Sequence, residues 1–222
     1  MNHSCYHLFM AEQHYTLIDV CWTLFYSNTT FDFLDFAIKD KRYNRLRKFR
    51  TSWIGRKANL LIYKLFRYDW MRSRSVRYLA GMSRIELQDL AERFYQEYLI
   101  PRRIEHVWQQ LPGTNLVIVS GTLDIIAQTV SRHLGTNRYH ATEMVFTNDI
   151  FTGKFNDRLL TKASAFPHYD NYDIITDNLT DIDLVRKAQK ATIVLYNNRH
   201  RWAAILPPDA NITYIETAEQ RY

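Results

Sequence analysis

Tyr15-Thr16-Leu17-Ile18-Asp19-Val20-Cys21-Trp22-Thr23-Leu24 opens as an apolar strand that ends in a carboxylate, with a thiol two positions later and a threonine four later. An open α/β sheet places its chemistry at the carboxyl ends of buried strands. Working outward from Asp19, polar groups recur after later apolar runs: Ser120, Lys162, and Asp177 with Asp181. From Asn115 onward, short apolar runs alternate with helical stripes, as parallel βαβ units do. Strands are predicted over 116–120, 143–147, 150–155, 172–176, 192–196 and 212–215. A helix is predicted over 123–134, stopped by Gly135, and another over 181–190.

Between the first strand and this alternating region, residues 28–107 carry helical periodicity. Ser83-x-x-Glu86 reads as a capping box, followed by Leu87, Leu90, Ala91, Phe94, Tyr95 and Tyr98 on one face, with Pro101 ending the helix. Tyr43, Leu46, Phe49 and Trp53 form a looser stripe, and 59–66 is predicted as a buried helix. The expected fold is therefore α/β, a Rossmann-like parallel sheet flanked by helices. Its core domain comprises 1–27 and 108–222, with an all-helical cap inserted over 28–107. A connection this long with its own helices is a domain rather than a loop, and it would sit above Asp19.

At 222 residues and 46% hydrophobic, the chain can bury one good core plus a smaller unit. No apolar stretch approaches the roughly 20 residues of a membrane span, and no targeting leader is read at the amino terminus, so a cytoplasmic protein is expected. The two cysteines, Cys5 and Cys21, do not suggest a disulfide framework, and the eight histidines lack zinc-ligand spacing. Charge is uneven: 37–104 holds 18 Lys and Arg against 6 Asp and Glu in a chain of net +6. This basic run is interleaved with Tyr43, Phe49, Trp53, Tyr63, Tyr68 and Trp70. It suits an anionic or aromatic substrate, a solvated helix face, or nucleic acid. The nucleic-acid reading explains none of Asp19, Ser120, Asp177 and Asp181, so it ranks last.

Taken together, these groups resemble the four motifs of the haloacid dehalogenase superfamily, in its phosphoserine-phosphatase-like branch with a helical cap. Motif one there is Asp-x-Asp-x-Thr, and Asp19-Val20-Cys21-Trp22-Thr23 fills its first and last fixed positions. The resemblance makes Asp19 the nucleophile that becomes an aspartyl phosphate. Ser120-Gly121-Thr122, opening onto a helix, would cradle the phosphate, although Ser120 and Thr122 also read as ordinary N-cap residues. The third motif is a lysine beside the phosphoryl group; Lys154 and Lys162 both stand in range, and Lys162 better fits the family's order. In Thr176-Asp177-Asn178-Leu179-Thr180-Asp181, threonine replaces the family's glycine while Asp177, Asn178 and Asp181 match. The implied cofactor is Mg²⁺, held by Asp19, the Cys21 backbone carbonyl and Asp177, with Asp181 in an outer position.

The departure is Cys21, where the family's phosphatases carry the aspartate that serves as general acid and base. A thiol among carboxylates should stay protonated and relay protons poorly. Trp22 adds bulk where a small residue is usual. The resemblance thus implies a magnesium-dependent phosphatase of a small phosphorylated metabolite, slowed at Cys21. Its alternative is a catalytically degenerate phosphate- or ligand-binding member of the same fold.

Overall fold

Alternation along short strands builds the centre of the molecule. In β1 (Tyr15–Ile18) Leu17 packs into one apolar cluster and Ile18 into another. The same switch occurs between Val117 and Ile118, Ile174 and Ile175, and Ile193 and Val194. Successive strand side chains point to opposite faces, so these strands are covered on both sides, as strands of a parallel sheet must be. The protein is described here by a computed structural model, over residues 14–66, 68–157, 169–207 and 210–217.

The remaining strands are β2 (Leu116–Leu123), β3 (Tyr139–Thr147), β4 (Ile150–Asn156), β5 (Tyr172–Thr176), β6 (Ala191–Leu195) and β7 (Ile212–Glu216). They form one seven-stranded sheet in the order β4-β3-β2-β1-β5-β6-β7. Every neighbouring pair is parallel except the β3–β4 hairpin, whose turn residues Asn148 and Asp149 have φ of 49° and 60°. The architecture is the expected Rossmann-like one. β1 lies between β2 and β5, with Ile18 opposite Ile118 on one side and Ile175 on the other.

On the Ile18 face lie α1 (Thr29–Ala37), α4 (Trp70–Val76), α5 (Arg84–Phe94), α6 (Glu105–Trp108) and α7 (Asp124–His133). They contribute Phe33, Leu34, Val76, Leu87, Phe94, Val107, Ile126 and Val130 to the cluster that holds Ile18 and Ile118. Helices before and after β2 therefore share one continuous core with the sheet. The Leu17 face is covered by α8 (Ile182–Lys187) through Leu184 and Val185, and by α9 (Arg199–Ala203) through Trp202. Between α1 and α4 run α2 (Lys41–Thr51) and α3 (Trp53–Phe66), whose only buried residues are Tyr43 and Gly55 respectively.

Local chemistry sets the ends. Ser83 and Glu86 complete the capping box of α5. Gly135, at φ 69°, takes the left-handed turn beyond α7 that a side chain would resist. Several expectations differ from the fold; β3 begins at Tyr139, four residues before the predicted strand over 143–147, where it pairs with β2. The predicted helix over 59–66 is helical, as the second half of α3, but it is not buried: Leu60, Leu61, Leu65 and Phe66 face solvent. β2 continues to Leu123, past the predicted end at 120, because Leu123 pairs with Thr142 across an irregularity in the ladder. α8 is shorter than 181–190, since the Gln189 N–H donates to the Tyr172 carbonyl at 2.8 Å and pulls the chain back toward β5.

Candidate active site

The carboxyl ends of β1, β2 and β5 collect most of the residues singled out in the sequence. Asp19 follows β1 directly and is 5% exposed; its N–H donates to the Ile175 carbonyl at 3.0 Å, and its Oδ1 accepts the Val20 N–H at 2.7 Å. Asp177 and Asp181, 1% and 2% exposed, follow β5 on the adjacent strand. Thr23 joins the two loops. Its Oγ1 donates to Asp177 Oδ1 at 3.2 Å and accepts the Asp177 N–H at 3.0 Å. Thr176, in the position of the family's glycine, donates to Asp181 Oδ2 at 2.8 Å and accepts the Asn178 N–H at 3.0 Å. The threonine thus holds the carboxylate four residues further along against the strand end.

On the other side of β1, Ser120 lies at the same end of β2, fully buried, and its Oγ accepts the Thr122 N–H at 3.4 Å. Because β2 runs on to Leu123, α7 starts two residues beyond Thr122, and neither Ser120 nor Thr122 is its N-cap. Leu123 stands at the N-cap position with no side-chain bond, and the Ile125 N–H, second in the helix, donates to Asp124 Oδ1 at 2.9 Å.

Cys21 is tied to this side. Its Sγ lies 2.8 Å from Thr29 Oγ1, and Thr29 Oγ1 donates to Thr122 Oγ1 at 2.8 Å. Either atom can donate in the Cys21–Thr29 contact. Burial first, then the Asp19 carboxylate and more weakly Asp177, push the thiol up to about 11, against opposing hydrogen bonds from Thr29. Trp22 follows in the left-handed region at φ 57°. That conformation costs a side-chain-bearing residue about 1–2 kcal/mol. Opposing it, the Tyr196 hydroxyl donates to the Trp22 carbonyl at 2.8 Å and the two rings pack edge to face at 5.7 Å.

Two residues at this rim carried no sequence signal. Thr29, at the start of α1, bridges Cys21 to Thr122, yet by sequence it is one threonine among several after an Asn N-cap. Arg72, on α4, donates to the Gly121 carbonyl and, at 2.5 Å, to Thr142 Oγ1, and pairs with Asp157 at 2.8 Å. It was indistinguishable within a basic segment. Of the lysines, Lys162 lies outside the described residues. Lys154 is exposed on the outer strand β4, with β3 and β2 between it and β1.

A parallel sheet with a split connection after its central strand carries buried carboxylates at the carboxyl ends of that strand and its neighbour, where open α/β folds bind their ligands. The chain belongs to the haloacid dehalogenase-like hydrolase family, whose model matches residues 17–183. Among proteins of curated function, none matches in sequence. Similar solved structures include a protein with unknown function from Bordetella pertussis Tohama I, at 14% identity and TM-score 0.59, covering 86% of this chain and 94% of that one. A phosphoserine phosphohydrolase-like protein from Francisella tularensis subsp. tularensis SCHU S4 matches at 15% identity and TM-score 0.57, over 90% and 95% of the two chains. Cytosolic 5'-nucleotidase IIIB bound to cytidine matches at 12% identity and TM-score 0.55, over 92% and 81%. At such identities the likeness is one of fold.

Proposed function

We propose that this protein is a magnesium-dependent phosphatase of a small phosphomonoester, acting through an aspartyl phosphate on Asp19, with residues 28–107 as its helical cap. The observation that carries the reading is the pair of hydrogen bonds between Thr23, in the loop that follows Asp19, and Asp177, at 3.2 and 3.0 Å, which ties the loop after β1 to the loop after β5.

In this reading the Asp19 carboxylate attacks phosphorus and the alkoxide departs; water then hydrolyses the acyl phosphate and restores the carboxylate. The Val20 N–H, on Asp19 Oδ1 at 2.7 Å, fixes the orientation of the attacking group. Ser120, Gly121 and Thr122 hold phosphoryl oxygens from the β2 side, and Lys162 is the cation assigned to the transferring group. Asp19, the Cys21 carbonyl and Asp177 would hold magnesium, with Asp181 behind Asp177. These are hard oxygen donors of the kind it takes. Among the described residues no group of three or more His, Cys, Asp or Glu side chains is placed to hold a metal ion, so in this reading two carboxylates and the Cys21 carbonyl would be its protein ligands and water would complete the shell. When bound, it supplies positive charge to the phosphoryl oxygens.

The proton steps set the rate. The leaving oxygen needs a proton and the attacking water must lose one, but a thiol pushed up to about 11 is a weak donor and stays protonated at neutral pH. The same observation favours a second reading, a member that binds phosphate without turning it over. Hydrolysis of p-nitrophenyl phosphate with magnesium, by wild type and Asp19→Asn, tests the proposal. Turnover in wild type that Asp19→Asn abolishes is the expected result. An equally active Asp19→Asn sinks the mechanism, and phosphate binding without turnover selects the second reading.

A further inference from the structure

Helix α3 presents its apolar side outward. Trp53, Ile54, Leu60, Leu61 and Leu65 are between 53% and 66% exposed. At 100° per residue they fall within an arc of roughly 140° on one face. Lys57 and Lys64 rise within that arc, Arg56 borders it, and the helix contains no acidic residue. The opposite side is fastened by close approach and polar bonds. A Cβ on Gly55 would meet the Phe49 carbonyl oxygen at 2.0 Å; Asn59 Nδ2 donates to Asp69 Oδ1 at 3.1 Å, and its Oδ1 accepts the Met71 N–H at 3.0 Å. The outward orientation is therefore built in. Beside it, α2 (KRYNRLRKFRT) carries six cations and no acid, with Lys41, Arg42, Arg45 and Lys48 exposed.

We propose that α3, backed by α2, is an interfacial helix that docks this protein on the surface of a bilayer rich in anionic phospholipid. Trp, Leu and Ile side chains interleaved with lysines, whose stems reach past apolar neighbours to charged headgroups, match the boundary layer of such a bilayer. Charge argues against a second copy of the chain, because a two-fold contact through this face would bring the basic α2 helices toward each other. It also argues against nucleic acid, which would leave the aliphatic side chains without partners. No helix among the described residues is long and apolar enough to cross a membrane, so the contact is with the surface. The next helix, α4, carries Arg72 to Gly121, so a bilayer held at α3 stands one helix along the chain from the rim of the site. The docking is independent of the reaction proposed there.

The test is cosedimentation of the full chain with vesicles of phosphatidylcholine alone, and of phosphatidylcholine mixed with phosphatidylglycerol in equal parts. Wild type should pellet with the mixed vesicles, less so at high salt, and stay in the supernatant with neutral ones. Leu61→Glu with Leu65→Glu should lower the partition coefficient at least about tenfold. Lys57→Gln with Lys64→Gln should lower it about fivefold for each cation removed. These positions are exposed, and an unchanged thermal midpoint verifies that each variant is folded. The proposal is overturned if wild type ignores mixed vesicles, or if the Leu61 and Leu65 changes leave pelleting as it was. A dimer that these changes dissociate, in a protein that does not pellet, also overturns it.

Discussion

Replacing Cys21 by aspartate should raise turnover of p-nitrophenyl phosphate about 10²- to 10⁴-fold, the usual worth of a positioned acid/base group. The site already shows the field the new carboxyl would feel: burial and the carboxylates of Asp19 and Asp177 push the thiol up to about 11. The same burial acts on a carboxyl in the same direction, raising it from its ordinary value of about 3.9, while magnesium held by Asp19 and Asp177 would offset the charge of those two carboxylates. So raised, the carboxyl can give a proton to a leaving oxygen and take one from water. Thr29 Oγ1, 2.8 Å from Sγ, remains to orient it. The variant should therefore show a pH–rate profile with an acid-side optimum that wild type lacks. A third acid beside two buried ones costs stability through like-charge repulsion, so its melting temperature should fall in chelator and recover with magnesium. Cys21→Asn, close in size to aspartate but unable to titrate, separates proton transfer from shape. If Cys21→Asp, correctly folded, is no faster than Cys21→Asn, the assignment of position 21 to proton transfer is wrong.

Thr23→Val removes both bonds to Asp177 and leaves that buried amide without its partner, a loss of about 1–3 kcal/mol in thermal unfolding, with a drop in kcat as the two loops separate. Ser83→Ala removes the capping box of α5 and should cost about 1 kcal/mol, read as a lower melting temperature. His14 lies 2.7 Å from Asn171 Oδ1 and 3.3 Å from Asp173 Oδ2. Its pKa is raised, chiefly by the Asn171 bond; burial opposes the rise, and the Asp173 carboxylate adds to it. A raised histidine stabilises fully below its unfolded pKa of about 6.5, and that stabilisation fades as pH rises through the folded value. The stability difference between wild type and His14→Gln should thus be larger at acid than at alkaline pH, and below about 1 kcal/mol because the side chain is 41% exposed.

The central strands β1, β2, β5 and β6 were legible because they are buried on both faces and their apolar runs are bounded by turn residues. So was α5, whose start is written in Ser83 and Glu86 and depends on nothing distant. The rim was partly legible: carboxylates placed directly after apolar strands have few other reasons to be there. Periodicity failed at α3, where it reported a helix with an apolar stripe but not which side the protein covers. That depended on Gly55 fitting against Phe49 and on Asn59 reaching Asp69 and Met71, contacts between neighbouring helices that no pattern within α3 encodes. The partners of Cys21 were hidden for a related reason, since Thr29 and Thr122 stand 93 positions apart and meet only through the fold.

Those contacts also divide the helical segment into a part that is fixed and a part that hangs from it. Phe33 and Leu34 of α1, Val76 of α4, and Leu87 and Phe94 of α5 belong to the same apolar cluster as Ile18 and Ile118, so these helices cannot leave the sheet without opening its core. Thr29 and Arg72 ride on two of them, and through these the segment touches Cys21, Thr122 and Gly121. By contrast, α2 and α3 bury only Tyr43 and Gly55; Tyr43 joins that cluster, and the rest of the pair is held by Phe49 against Trp70, by Arg50 on Asp35 and by the Asn59 bonds.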